Sequence, residues 1–377
     1  MTDMENPFRF GGLVTGEDFA DRKREAAEIV RDIRNGVNLL LFSHRRMGKS
    51  SLLAEVMRRH REEFIFVYVD LYGVTTKTRM AEVFASALVN SAYSGLGKAA
   101  LALKDLLRGS RFRLTVNEKG EPGVELSLGE PTMPEIQDIL DLPEIVAKKK
   151  RQRVVVIFDE FQEVGLLDGV ALLKAMRARI QTHKNVSYVF AGSKNHLLLS
   201  IFEEREGAFF KSAKAMELGP MPEEEVEEFL VGRFAARKGR LPSEAARAIV
   251  STAGGNPYYI QQIAHELFNI SPRPRWPEDF EASMSATLTH QTPAFSMLWD
   301  SVKSQMQRRY LLAAAMEDGP PHGAAFIDRH RLKSSSHVQK AMGQLDSRGV
   351  TEGGKIVDPL LVLWLRRLAG PRKSGDR

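Results

Sequence analysis

Three consecutive residues, Gly48-Lys49-Ser50, have the types needed to hold a triphosphate, and they sit inside the stretch Asn38 to Glu55, NLLLFSHRRMGKSSLLAE. Phosphate oxygens need backbone N–H groups converging at a helix N-terminus, and Gly48 has no side chain to block their approach. Lys49 supplies a mobile cation for the β- and γ-phosphates, and Ser50 a small hydroxyl for magnesium. The full pattern is G-x-x-x-x-G-K-[ST], and Ser43 stands where its first glycine belongs. Serine is expected to make the turn at some conformational cost, with nucleotide binding surviving. The candidate nucleotide contacts are Ser43, His44, Arg45, Arg46, Met47, Gly48, Lys49, Ser50 and Ser51.

A second group completes the constellation. Arg153 to Glu163 reads RVVVIFDEFQE, an apolar run from Val154 to Phe158 followed by two carboxylates. Such a short β-branched run suits a strand buried on both faces of a parallel sheet. Asp159 at its carboxyl end would hold magnesium through water, and Glu160 would orient or activate the attacking water. A core strand ending in a solvated acidic turn is the bland alternative. The order of loop and acidic pair along the chain favours the nucleotide reading.

The elements that must position these groups follow from the pattern around them. Leu39 to Phe42 is an apolar strand entering the loop, and an amphipathic helix leaves it. Asp18 to Ile33 reads as a helix ahead of the loop, and Phe64 to Leu71 as a buried strand that ends at Asp70. A helix from Lys77 to about Tyr93 follows, then a hairpin between Phe112 and Leu128 that interrupts the alternation. Lys148 to Arg153, KKKRQR, suits an exposed helix end, where the helix dipole favours cations, better than a nucleic-acid contact. Val186 to Ser193 is a further strand whose end brings Ser193 and Lys194 to the proposed γ-phosphate position, and KAMEL, ending at Leu218, closes the series. The fold class expected is α/β: a doubly wound, mostly parallel sheet.

Pro220 and Pro222 mark a change to helical composition. Helices are expected over Glu223 to Lys238, Pro242 to Ala253 and Pro257 to Phe268, with Gly254-Gly255-Asn256-Pro257 as a helix stop and restart. Ser271 to Pro277, SPRPRWP, reads as a linker. Phe295 to Met316 is expected to be one helix, followed by a second over Ala324 to Arg331 and a third beginning at the serines 334–336. Val350 to Val357 then reads as a two-stranded wing, giving a winged helix-turn-helix. Its third helix would expose Ser335, His337, Gln339, Lys340 and Gln344, with Lys333 and Arg348 nearby, to duplex DNA or to a protein. The expected domains are therefore 1–220 (nucleotide domain, hairpin at about 110–130), 221–271 (helical lid), 272–293 (linker), 294–370 (winged helix) and 371–377 (tail).

The bulk numbers exclude several classes. The 377 residues suffice for two or three domains. With no cysteine there are no disulfides and no cysteine-ligated zinc, and the nine histidines show no metal-binding spacing. No segment approaches the roughly 20 apolar residues of a membrane span. The N-terminus lacks a signal pattern, so a cytoplasmic location is expected. A formal charge of +6 favours anionic partners modestly.

The phosphate loop, the DE strand, the AGS strand end, GGNP and the winged helix together resemble the archaeal-type P-loop ATPases, which lie near the AAA+ and STAND groups. NPF, RRMGKSSLL, FDEFQE, AGS, GGNPYYIQ and VDPLLVLWLRR are the segments that carry the resemblance, which spans nearly the whole chain. It implies an ATPase using ATP and Mg2+, with Lys49 on phosphate, Ser50 and Asp159 on magnesium, Glu160 activating water, and Ser193 and Lys194 sensing the γ-phosphate. It puts Pro257 near the base. Tyr258 stands where many AAA+ proteins place a lid arginine, and Arg205 is a weak candidate for an arginine finger offered to a neighbouring subunit of a nucleotide-dependent homo-oligomer. An arginine finger contributes about 10³–10⁵ in rate, so slow intrinsic turnover is expected without one. The function implied is an ATP-driven switch. The alternatives are an initiator-like DNA-binding protein whose nucleotide sets its conformation, and a nucleotide-binding scaffold without significant turnover.

Overall fold

The computed structural model describes residues 5–20, 22–93, 111–116, 122–127, 129–193, 196–317 and 321–370. They form two compact units: Arg22–Arg45 with Lys49–Leu218, and Met1–Asp21, Arg46–Gly48 and Gly219–Arg377.

The first unit begins with α1 (Lys23–Arg34) and β1 (Leu39–Ser43), followed by α2 (Lys49–His60), β2 (Ile65–Asp70) and α3 (Lys77–Ala92). An antiparallel hairpin, β3 (Phe112–Val116) and β4 (Pro122–Leu126), comes next, then α4 (Met133–Lys150) and β5 (Val154–Asp159). The unit closes with α5 (Gly169–Ile180), β6 (Val186–Ser193), α6 (His196–Phe202) and β7 (Lys214–Glu217). Five strands pair in the order β2-β5-β6-β1-β7, all parallel. Every residue of β1 and β5 is buried, as expected of strands covered on both faces by crossover helices. Because the strands run parallel, Ser43, Asp70, Asp159 and Ser193 all lie at the same, carboxyl-terminal edge. The register pairs Ser43 with Ser193 and Asp70 with Asp159.

In the second unit, α7 (Glu223–Ala236), α8 (Ser243–Ala253) and α9 (Pro257–Ile270) precede α10 (Glu278–Ser301) and α11 (Gln305–Ala315). Then come α12 (Ala324–Arg329), α13 (Ser335–Ser347), a short antiparallel ladder of β8 (Thr351–Glu352) and β9 (Lys355–Ile356), and α14 (Pro359–Ala369). The GGNP turn works through shape. Gly254 and Gly255 have φ of +57° and +68°, and a Cβ on Gly255 would lie 2.6 Å from Pro220 Cβ. Asn256 then caps α9, its side chain accepting from Tyr258 N at 3.0 Å.

Three expectations change. The helix ahead of the loop starts at Lys23 rather than Asp18, and the preceding segment groups with the second unit. Phe8 is buried with its ring 5.3 Å from that of Phe234 and 6.3 Å from that of Phe268, and Arg233 donates to Pro7 O. Residues 278–293 of the expected linker are helical, part of α10 with Pro293 inside it. The buried face of α10 includes Asp279, Ser283, Thr287 and Gln291, so its apolar periodicity is weak. The single helix expected over Phe295 to Met316 is broken at Val302–Ser304, where Ser304 accepts from Gln307 N and caps α11. Among the described residues no helix is long and apolar enough to cross a membrane.

Candidate functional site

Lys49 is the first residue of α2 and is 7% exposed. Burial pushes its ammonium below the usual lysine value, opposed by the carboxylates of Glu160 and Asp159. Its Nζ donates to Ser43 Oγ at 3.3 Å, and that hydroxyl donates to His44 O at 2.8 Å. Ser43 is therefore not a strained stand-in for glycine. It is the last residue of β1, outside the left-handed region, so the expected conformational cost does not arise. The left-handed positions of the loop are Arg46, at φ 66°, and Gly48, at φ 84°. For Gly48 this conformation suits glycine, and a Cβ there would also reach Pro257 Cγ at 3.5 Å.

At the neighbouring strand ends, Ser50 Oγ donates to Asp159 Oδ2 at 2.9 Å. The hydroxyl of Tyr68 on β2 donates to the same oxygen, and Glu160 N donates to Oδ1 at 3.0 Å. Burial and the charge of Asp159 push the Tyr68 hydroxyl well above its usual value, so it stays a donor at any working pH. A hydroxyl and a carboxylate held together are hard oxygen donors of the kind Mg2+ takes alongside water and phosphate oxygens. Ser50 and Asp159 fit that ion and would hold it, and its charge would neutralise phosphate oxygens as the terminal bond breaks. Glu160 is itself left-handed, at φ 52°, which turns its side chain out of the line of β5, and it accepts from the amide of Gln162.

Loop residue Arg46 finds its partners within the second unit. Its guanidinium lies 4.5 Å from the Tyr258 ring centroid and donates to Tyr259 Oη at 3.3 Å and Gln291 Oε1 at 3.4 Å. Tyr259, fully buried, donates to Asp358, which caps α14 by accepting from Leu360 N at 3.0 Å and Leu361 N at 3.1 Å. Burial raises the Asp358 carboxyl above its usual value.

The remaining candidates are dispersed. Ser193 ends β6, paired in register with Ser43, whereas Lys194 lies outside the described residues. Arg205 is exposed on a turn after α6. Met47 is buried, Arg45 exposed, and His44 and Ser51 partly buried beside the loop. Pro257 opens α9. On α13 and its flanks Lys333, Ser335, His337, Gln339, Lys340 and Arg348 are exposed. Gln344, however, accepts from Gln307 at 2.8 Å, and Arg348 donates to Ser301 at 2.6 Å. Arg329 and His330, at the end of α12, both pair with Glu317. Sequence reasoning missed Tyr68, Gln162, Tyr259, Gln291 and Asp358. The only signal was a polar group in an apolar run, as with Tyr68 in FIFVYVDL.

No curated protein is similar enough in sequence to count as a match. Among solved structures, a Walker-type ATPase of Pyrococcus abyssi superposes with a TM-score of 0.68 at 19% identity, covering 96% of this chain and 99% of that one. The ORC2 protein of Aeropyrum pernix, solved as ADPNP-ADP complexes, gives 0.57 at 12% identity, covering 93% and 95%. These identities speak to the fold, an α/β P-loop architecture with a parallel central sheet. The sequence itself matches the model of an ATPase domain predominantly from Archaea over residues 19–263, and with its phosphate loop and acidic strand end the chain belongs to that family of ATPases.

Proposed function

We propose that the chain is an ATP-driven switch in which the state of the phosphate loop biases the helical unit. ATP sits on the backbone of the loop with Lys49 at its phosphates. Ser50 and Asp159 hold Mg2+, and Glu160 activates water. Ser193 and Lys194 read the γ-phosphate, and hydrolysis resets the loop. The observation that carries this reading is the set of partners of Arg46. A residue only three positions before Lys49 is bound by α9 through Tyr258 and Tyr259 and by α10 through Gln291, and Tyr259 continues to the cap of α14. Phosphates that reorganise the loop must change the Arg46 backbone, and those partners feel the change. With Tyr258 where a lid arginine would stand and Arg205 exposed on a turn, intrinsic turnover is slow, and a partner or a second copy accelerates it.

A second reading is supported by the exposed face of α13. There Lys333, Ser335, His337, Gln339 and Lys340 are open to solvent on a helix followed by a two-stranded ladder, and this reading takes that segment as a winged helix that docks on duplex DNA or on a protein. Hydrolysis by the wild type and by Lys49→Ala, with and without duplex DNA at low and moderate salt, separates the readings. A Lys49-dependent activity stimulated by DNA couples the two modules. A Lys49-dependent activity indifferent to DNA makes the partner a protein. ATP binding with no Lys49-dependent turnover leaves a nucleotide-binding scaffold and contradicts the switch.

A further inference from the structure

Gln162 lies two residues past the acidic strand end, in a 3-10 turn spanning Phe161–Leu166. It is 6% exposed, and its amide nitrogen donates to the Glu160 carboxylate. A carboxylate only accepts, so this contact fixes which end of the amide is nitrogen and which is oxygen. The other end, Oε1, is buried with no hydrogen-bond partner among the described residues. An acceptor left in that state is uncommon in folded chains and calls for a reason.

Gly192 on β6 supplies a second observation. A Cβ at that position would lie 2.4 Å from Gln162 Oε1 and 3.0 Å from Leu198 Cδ2. Its backbone is not left-handed, so conformation does not demand glycine there. Space does, because the Gln162 amide fills the place of a side chain. The free oxygen is thus seated between the Glu160 carboxylate and the end of β6, one residue before Ser193.

We infer that Gln162 is a positioning residue for hydrolysis: seated against Gly192, its amide fixes the Glu160 carboxylate through Nε2. The inference rests on the assignment of Glu160 as the group that activates that water. In the step itself, the water oxygen bonds to the γ-phosphorus as the bond to the β–γ bridging oxygen breaks. The bridging oxygen leaves on ADP with the electron pair, and one water proton passes to Glu160 or to the departing phosphate. A carboxylate free to rotate would hold that water loosely, whereas one fixed by the seated Gln162 amide keeps its accepting oxygen, and so the water's lone pair, aimed at phosphorus.

The test uses the full chain with Mg-ATP and reads two quantities, the single-turnover hydrolysis rate and the Kd for a fluorescent ATP analogue. Gln162→Met keeps the length of the side chain and removes the amide, and Gly192→Ala keeps the amide and takes its seat. Each is expected to slow hydrolysis roughly 10²-fold, the size of a positioning loss, with Kd changed by no more than about twofold, since ground-state binding is untouched. In a Glu160→Gln background, Gln162→Met is expected to add nothing, because groups that act as a unit are not additive. Wild-type rates in both variants, an equal loss of affinity and rate, or an additive loss in that background would overturn the inference. A Glu160→Gln protein with unchanged rate would instead overturn the assignment of Glu160 itself, a failure visible without any change at position 162.

Discussion

The carboxyl edge of the sheet and the exposed face of α13 both drew attention as clusters of polar residues, and they are built in opposite ways. At the sheet edge Lys49, Asp159 and Gln162 are buried, and each is held by a neighbour: Lys49 by Ser43, Asp159 by Ser50 and Tyr68, Gln162 by Glu160. Burying charges is costly unless they are paired and put to use, so such a cluster carries its own argument for function. On α13 the polar groups are solvated, and the flanking cations Arg329 and Arg348 already have partners in the chain. An exposed polar helix face costs nothing to keep. The comparison teaches that desolvation separates chemistry from ordinary surface, and that residue type alone does not.

The comparison can be sharpened in order of expected effect. Glu160→Gln is expected to slow hydrolysis by about 10²–10⁴-fold while ATP stays bound, read as retained nucleotide in single-turnover assays. If the turnover were unchanged, the buried edge would be mere structure. Tyr68→Phe leaves Asp159 with one fewer donor fixing its orientation. Titrating Mg2+ against nucleotide binding should show its midpoint raised about 10-fold, with thermal stability nearly unchanged. Neutralising Lys333, Lys340 and Arg348 together should move stability by no more than about 0.5 kcal/mol. If duplex DNA is the partner, the same variant loses salt-dependent binding, which gel shift at low salt would reveal.

What could be read beforehand divides along the same line. The loop, the DE pair and the parallel sheet were legible because each is written in contiguous residues: a glycine and lysine at a fixed spacing, and apolar runs of strand length. Tyr68 was not legible. It meets Asp159 only because β2 and β5 pair in register, and nothing in either strand announces that pairing. Gln162 and Gly192 are joined in the same way, by a turn folding against β6. The reading of Ser43 as a conformational burden erred because the pattern was taken to mark a turn, whereas the residue ends a strand and the left-handed step falls on Arg46. The expected linker failed for a different reason. The inner face of α10 is lined by Ser283, Thr287 and Gln291 as well as Met284 and Leu288, so an amphipathic signal built on apolar residues fades where the helix is in fact continuous.

The proposed coupling of the phosphate loop to the helical unit runs through Arg46. Hydrogen exchange of the Glu160→Gln protein, nucleotide-free and with Mg-ATP, tests it most directly when repeated in an added Arg46→Ala change. The account predicts that ATP alters protection in residues 257–262 and 358–369 as well as in the loop, and that Arg46→Ala abolishes the distant changes while nucleotide still binds. Protection confined to the loop and to residues 154–163, with or without Arg46, would contradict it.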